Sequence, residues 1–170
     1  MYPGRKGTLT HDYVRHGTTT LFAALEVESG VVISQCMSRH RHQEWIRFLK
    51  HIDASTDAKL DLHLICDNYA AHKHPSVKRW LAKHPRFHLH FTPTSSSWLN
   101  LVERWFRDLT DRRIRRGVFR SVRQLIAAIE EYVTHHNDQT EHGFRWTAAA
   151  DQIIEKYRRA RAALDKIATA

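Results

Sequence analysis

The stretch from Leu60 to Phe91 constrains the fold of this chain more than any other. Leu60, Leu62, Leu64 and Cys66 alternate with Asp61, His63, Ile65 and Asp67, the period of two that a strand imposes. Pro75 stands where a helix begins, and Val77, Trp80 and Leu81 line one face of that helix. Phe87, Leu89 and Phe91 then alternate with His88 and His90 in a further strand region. Upstream, residues 18–27 are β-rich, Glu28-Ser29-Gly30 is a turn, and residues 31–36 form a second strand, so this pair reads as a hairpin. Between hairpin and Leu60, residues 42–53 carry Trp45, Ile46, Phe48, Leu49 and Ile52 at helical spacing. Two strands, a helix, then strand, helix, strand and helix predict a mixed α/β sheet.

The second half is helical by pattern. Residues 92–97 form a turn that can cap the next helix. Trp98, Leu101, Val102, Trp105, Phe106 and Leu109 then make a strong apolar stripe. Gly117 interrupts it. Ser121 starts another amphipathic helix, with Val122, Leu125, Ile126, Ile129, Tyr132 and Val133 on one face. A loop over 137–143 leads to a final helix over 147–168.

With 170 residues, 42% of them hydrophobic, the chain can build one domain with a real core, which excludes wholesale disorder. No apolar run approaches the ~18 residues that span a bilayer, and the basic N-terminus has no apolar stretch behind it to act as a signal peptide. Cys36 and Cys66 form no CxxC, which argues against a disulfide scaffold or a cysteine zinc site. These features predict a soluble cytoplasmic protein without a membrane partner. Its net charge of +9 points to a polyanion. Residues 104–123 hold eight arginines and two acids, a net +6 of that total. The arginines at 104, 107, 112, 113, 115 and 116 are candidate phosphate contacts. A solvated face of Arg–Asp pairs is the competing reading, and the imbalance favours nucleic acid.

Asp67 ends a buried strand, where side chains emerge from α/β sheets into a crevice. A carboxylate there can bind a hard cation; a turn aspartate bonded to its own backbone is the equal alternative. Glu103 lies at the edge of the apolar stripe, four residues before Arg107, and spacing alone favours a surface Glu–Arg pair. The fourteen histidines include His40/His42, His72/His74, His88/His90 and His135/His136. His88 and His90 share a strand face, so zinc is conceivable, but no HExxH or Cys/His spacing supports it. Residues 95–97 lack the glycines of a nucleophile elbow, and there is no glycine-rich phosphate loop.

At these residues a resemblance emerges. The segment from Leu64 to Lys73, with Asp67-Asn68-Tyr69 at its centre, resembles the second-aspartate segment of DDE-type transposases. The likeness is to the mariner-like bacterial insertion-sequence family, which has a ribonuclease-H-like catalytic core. The segment from Phe91 to Phe106, with Thr92-Pro93, Trp98-Leu99-Asn100 and Glu103, is similar to that family's third-carboxylate segment, and 35 residues separate Asp67 from Glu103. Residues 15–24 and 39–44 are also similar to family segments. The resemblance implies DNA strand cleavage and strand transfer at a two-metal site, with Asp67 and Glu103 as catalytic ligands of Mg²⁺, or Mn²⁺ in its place. It implies transposon ends and target DNA as partners, a homodimer, and the arginine stripe holding the DNA backbone.

The chain departs from that family in one respect. The family's first catalytic aspartate lies upstream of a PGR.GT stretch, and here the sequence starts inside it, at Met1-Tyr2-Pro3-Gly4-Arg5. The expectation is therefore an N-terminally truncated α/β protein: a ribonuclease-H-like mixed sheet flanked by helices, with the first central strand missing. Its catalytic domain would cover 1–135 and a helical extension 136–170. Such a chain would be inactive alone, without the first aspartate and the DNA-recognising helix-turn-helix. A non-catalytic DNA-binding remnant, a nuclease for RNA or hybrids, and a His-rich zinc module are the alternatives.

Overall fold

The computed structural model describes residues 17–92 and 101–140, together with Glu155 and Arg159, both helical. Its elements are β1 (Thr20–Leu25), β2 (Val32–Met37), α1 (His42–Ser55), β3 (Leu62–Cys66), α2 (Pro75–Leu81), β4 (Phe87–Phe91), α3 (Leu101–Leu109) and α4 (Val122–Gln139). A 3₁₀ turn over Ala70–Lys73 follows β3, and a π turn over Thr110–Ile114 follows α3. The mixed α/β architecture expected from the sequence is present, but the sheet is not continuous. Among the described residues the strands form two two-stranded sheets, β1 with β2 and β3 with β4.

The hairpin pairs antiparallel from Thr20 opposite Met37 to Leu25 opposite Val32. Its turn closes through Gly30 N–H to the Glu26 carbonyl at 2.8 Å, and Gly30 sits at φ 78°, which favours a residue without Cβ. β3 and β4 are parallel, Leu62 beside Phe87 through Cys66 beside Phe91. The α2 crossover between them makes that orientation natural. The Ser121 hydroxyl caps α4 by accepting from Gln124 N–H at 3.2 Å, as the sequence suggests.

The alternation of β1 splits the core in two. Phe22 packs with Met37, Trp45, Phe48, Leu49 and Ile52, and this cluster continues to Val77, Trp80 and Phe87. Leu21, Ala23 and Leu25 face the other way, onto Trp105, Leu109, Ile129 and Val133. The hairpin is thus sandwiched between α1 on one side and α3 with α4 on the other. Among the described residues, β3 and β4 are covered on one face only. Leu62, Leu64 and Leu89 pack inward, while His63, His88 and His90 are exposed and Ile65 is 58% exposed.

Two polar devices tie distant elements together. Asn137 imitates a neighbouring strand: its Oδ1 accepts from Val32 N–H at 2.8 Å and its Nδ2 donates to the Val32 carbonyl at 3.0 Å. This residue lies in the last turn of α4, so the loop expected from 137 begins only after Gln139. The Arg86 guanidinium collects the end of α1. It donates to the Asp53 carboxylate at 2.9 Å, the Asp53 carbonyl at 3.2 Å and the Thr56 hydroxyl at 2.7 Å.

Candidate active-site cleft

A cavity of about 420 Å³ is bordered by β1, β3, α1 and the first turns of α3. Asp67 and Glu103 both line it, so the two carboxylates that the sequence singles out lie on one cleft. Each arrives there for a local reason. Asp67 is the first residue after β3, just beyond the last ladder bond, Thr92 N–H to the Cys66 carbonyl at 2.9 Å. Glu103 is in the first turn of α3. Trp105 and Leu109 of that helix are buried against β1, which leaves Glu103 on the flank toward the cleft. Glu103 makes no ion pair with Arg107, so the surface pair that spacing favours is not formed.

Asp67 has a built support. The 3₁₀ turn, closed by His72 N–H to the Tyr69 carbonyl at 3.1 Å, folds the chain back so that residue 72 meets residue 67. His72 Nδ1 lies 3.1 Å from Asp67 Oδ1 and 3.3 Å from the Asp67 carbonyl. Only 7% of the His72 side chain is exposed, against 49% for Asp67. The imidazole packs on the Trp45 indole with centroids 4.2 Å apart, and on His40 and Tyr69. Burial lowers the His72 pKa, and the Asp67 carbonyl and carboxylate only partly offset it. A neutral ring with its proton on Nδ1 satisfies both acceptors. His72 thus holds one carboxylate oxygen inward while the other can meet the cleft. From the sequence, His72 stands out only as half of a histidine pair. Its spacing of five from Asp67 is the available signal, but nothing in periodicity says that a 3₁₀ turn closes it.

The arginine stripe is divided between two surroundings. Arg113 bonds to Glu131 on α4, and Arg115 bonds to Asp111 at 2.7 Å. Arg104, Arg107, Arg112 and Arg116 are exposed or half-buried and make no ion pair among the described residues. They do not run along a single helix face. The π turn, closed by Arg115 N–H to the Thr110 carbonyl at 2.9 Å, shifts the register between Arg107 and Arg112.

His88 and His90 do share a strand face with His63, whose Nδ1 is 2.9 Å from His90 Nε2. Among the described residues no group of three or more His, Cys, Asp or Glu is placed to hold a metal ion. Residues 95–97, Trp98 and most of the final helix over 147–168 lie outside the described residues. No helix among the described residues is long and apolar enough to cross a membrane.

Asp67 and Glu103 thus share one cleft of an α/β scaffold, and a basic segment follows the second of them. Residues 1–126 match the family model for the DDE superfamily endonuclease, and the chain belongs to that family. Over 89 residues it is 32% identical to the "Insertion element IS630 uncharacterized 39 kDa protein" of Shigella sonnei. That stretch is 52% of this chain and 26% of the relative, so the match spans about a quarter of the relative's length. In fold, the chain is similar to a chain of the simian T-cell lymphotropic virus intasome, seen by cryoEM in complex with PP2A regulatory subunit B56 gamma. The TM-score is 0.50 at 17% identity, over 69% of this chain and 41% of that one. At that identity the likeness is one of fold, and it is consistent with a ribonuclease-H-like core.

Proposed function

We propose that this chain contributes two carboxylates, Asp67 and Glu103, to the DNA-cleaving and strand-joining site of an insertion-sequence transposase. The observation that carries this reading is their convergence on one cleft from elements 35 residues apart in sequence. Family membership supplies the class of chemistry. Two oxygen donors from separate elements suit Mg²⁺, which binds through one or two carboxylates and completes its shell with water and phosphate. The described lining of the cleft offers no third carboxylate, so the donor set fits one hard cation. A bound Mg²⁺, or Mn²⁺ in its place, supplies Lewis-acid stabilisation of the phosphoryl oxygens.

The residues of this chain then have distinct tasks. Asp67 and Glu103 hold the cation, and His72 fixes the Asp67 carboxylate. Arg104, Arg107, Arg112 and Arg116 supply positive charge after Glu103 and hold DNA phosphates, with Arg113 and Arg115 reaching them once released from their acids. Transposon ends and target DNA are the substrates, and a homodimer would bring two such sites to paired ends. A DNA-binding protein without chemistry is the second reading, favoured by the lack of a third carboxylate among the described residues that line the cleft.

Cation-dependent DNA binding separates the two readings. Under the proposal, Mn²⁺ tightens binding of duplex DNA by the wild-type chain and does nothing for Asp67→Asn. If both bind DNA identically with and without Mn²⁺, the binding-only reading replaces the one proposed.

A further inference from the structure

We infer that the connection between the π turn and α4 is a DNA wedge: Val118 enters the minor groove and inserts between two base pairs, while the neighbouring arginines hold the phosphates. The inserted side chain unstacks one base step and kinks the duplex there. This rests on the reading of the chain as a DNA-processing protein and adds to it a place where the duplex is deformed. Val118 is 90% exposed, more than any other large apolar side chain among the described residues. A single exposed valine needs no explanation by itself. What singles this one out is how the chain holds it.

Both ends of the connection over 115–121 are tied down. Gly117 N–H donates to the Ile114 carbonyl at 3.2 Å, and Arg120 N–H donates to the Gln124 side chain at 2.8 Å. Between these ties the two apolar residues part. The half-buried Phe119 ring lies back over Gly117, where an added Cβ would stand 2.2 Å from the ring's Cζ. Only a residue without Cβ leaves room for the ring in that position. Val118 is left standing outward. Its β-branched side chain is stiff, so it gives up little freedom on insertion.

The surroundings set the partner. Arg112, Arg116, Arg120 and Arg123 precede and follow Val118 and make no ion pair among the described residues. Val118 and Phe119 border a cavity of about 630 Å³ that Arg113 and Arg120 also line, and its one carboxylate, Glu131, is bonded to Arg113. An apolar protein surface would strip water from these cations and offer them no partner. Duplex DNA offers phosphates to the arginines and a stacked, apolar interior to the valine, the combination that minor-groove wedges use. Glu103 lies on the same helical run, 11 positions before Ile114. That is ~16 Å along the axis, a span that about five base pairs cover.

The test uses the full chain and two fluorescein-labelled duplexes that differ only in a central mismatch, which lowers the cost of opening a base step. Fluorescence anisotropy should show the wild type binding the mismatched duplex about tenfold more tightly. Val118→Ser, a change at an exposed position that does not threaten the fold, should bind both duplexes alike. It should keep the wild-type salt slope, because no phosphate contact is lost. Val118→Leu should keep the preference. An adenine analogue that fluoresces when unstacked, placed in the perfect duplex, should brighten with wild type and Val118→Leu and stay dim with Val118→Ser. Equal preference or equal brightening by wild type and Val118→Ser overturns the proposal. If Val118→Ser weakens binding to phosphatidylserine vesicles and leaves DNA binding untouched, the tip is a membrane contact and the wedge is refuted. A wild type that binds neither duplex sinks the DNA-processing reading together with the wedge. One that binds both, ignores the mismatch and leaves the analogue dim sinks the wedge alone.

Discussion

Replacing Arg86 tests whether one side chain joins the end of α1 to the start of the parallel sheet. Its side chain is 15% exposed. Nη1 also donates to the carbonyls of Asp57 and Leu60, the latter at 3.1 Å. These two bonds are exposed, and water replaces them at little cost. The bonds to the Asp53 carboxylate, the Asp53 carbonyl and the Thr56 hydroxyl are partly buried. At about 1 kcal/mol for each such bond, Arg86→Met should cost ~3 kcal/mol, and it also removes the guanidinium that lies 5.5 Å from the Phe87 ring centroid. Arg86→Lys should recover less than half of that, because an ammonium cannot reach the three acceptors as a planar fork does. Urea unfolding followed by tryptophan fluorescence reads both values from the midpoint. A loss below about 1 kcal/mol for Arg86→Met, or full recovery by lysine, would refute the reasoning, since the guanidinium would then not be bracing the junction.

Other expectations follow from the site and the core. His72→Phe keeps a ring against Trp45 but removes both bonds to Asp67. It should cost ~1–2 kcal/mol in stability and weaken Mn²⁺ binding roughly tenfold, whereas His72→Gln, which can still donate, should restore much of the metal affinity. Isothermal titration checks this, and equal affinities for the two variants would contradict it. Glu44 is buried at the start of α1 and accepts from the Arg41 side chain and N–H, which hold its pKa down from the ordinary 4.5 to about 2. Its contribution to stability should therefore be complete above about pH 4.5 and be lost as pH falls toward 2. A stability difference between wild type and Glu44→Gln that stays constant across that window would rule this out. Replacing Arg104, Arg107, Arg112 or Arg116 by alanine should reduce the salt slope of DNA binding by about 0.9 for each phosphate no longer neutralised. Arg115→Ala, already paired with Asp111, should change it less.

Much of the fold is legible in the sequence because it rests on short-range periodicity. The alternation over 60–67 gives β3, Pro75 marks the start of α2, Gly30 marks the hairpin turn and Ser121 caps α4. What stays hidden depends on partners far along the chain. The separation into two sheets among the described residues is encoded by no local pattern, and only the family resemblance, with its missing central strand, anticipates it. Arg86 and Asn137 look like ordinary surface residues until they meet Asp53 and Val32, 33 and 105 positions away. Asp67 is legible as a strand-end carboxylate, but its partner is not. Spacing alone pairs Glu103 with Arg107, and only the packing of α3 on β1, or the family resemblance, sets it on the same cleft as Asp67. The role of His72 is hidden because a 3₁₀ turn, not a periodic element, brings it back to Asp67.

The claim that Asp67 and Glu103 act together on a divalent cation can be measured without turnover. Mn²⁺ added to the ¹⁵N-labelled chain broadens amide signals near the bound ion. Broadening should centre on residues 66–68 and 102–104 together, and Asp67→Asn and Glu103→Gln should each weaken it about tenfold or more. Broadening centred on His63 and His90 instead, or unchanged by Asp67→Asn, would contradict the claim.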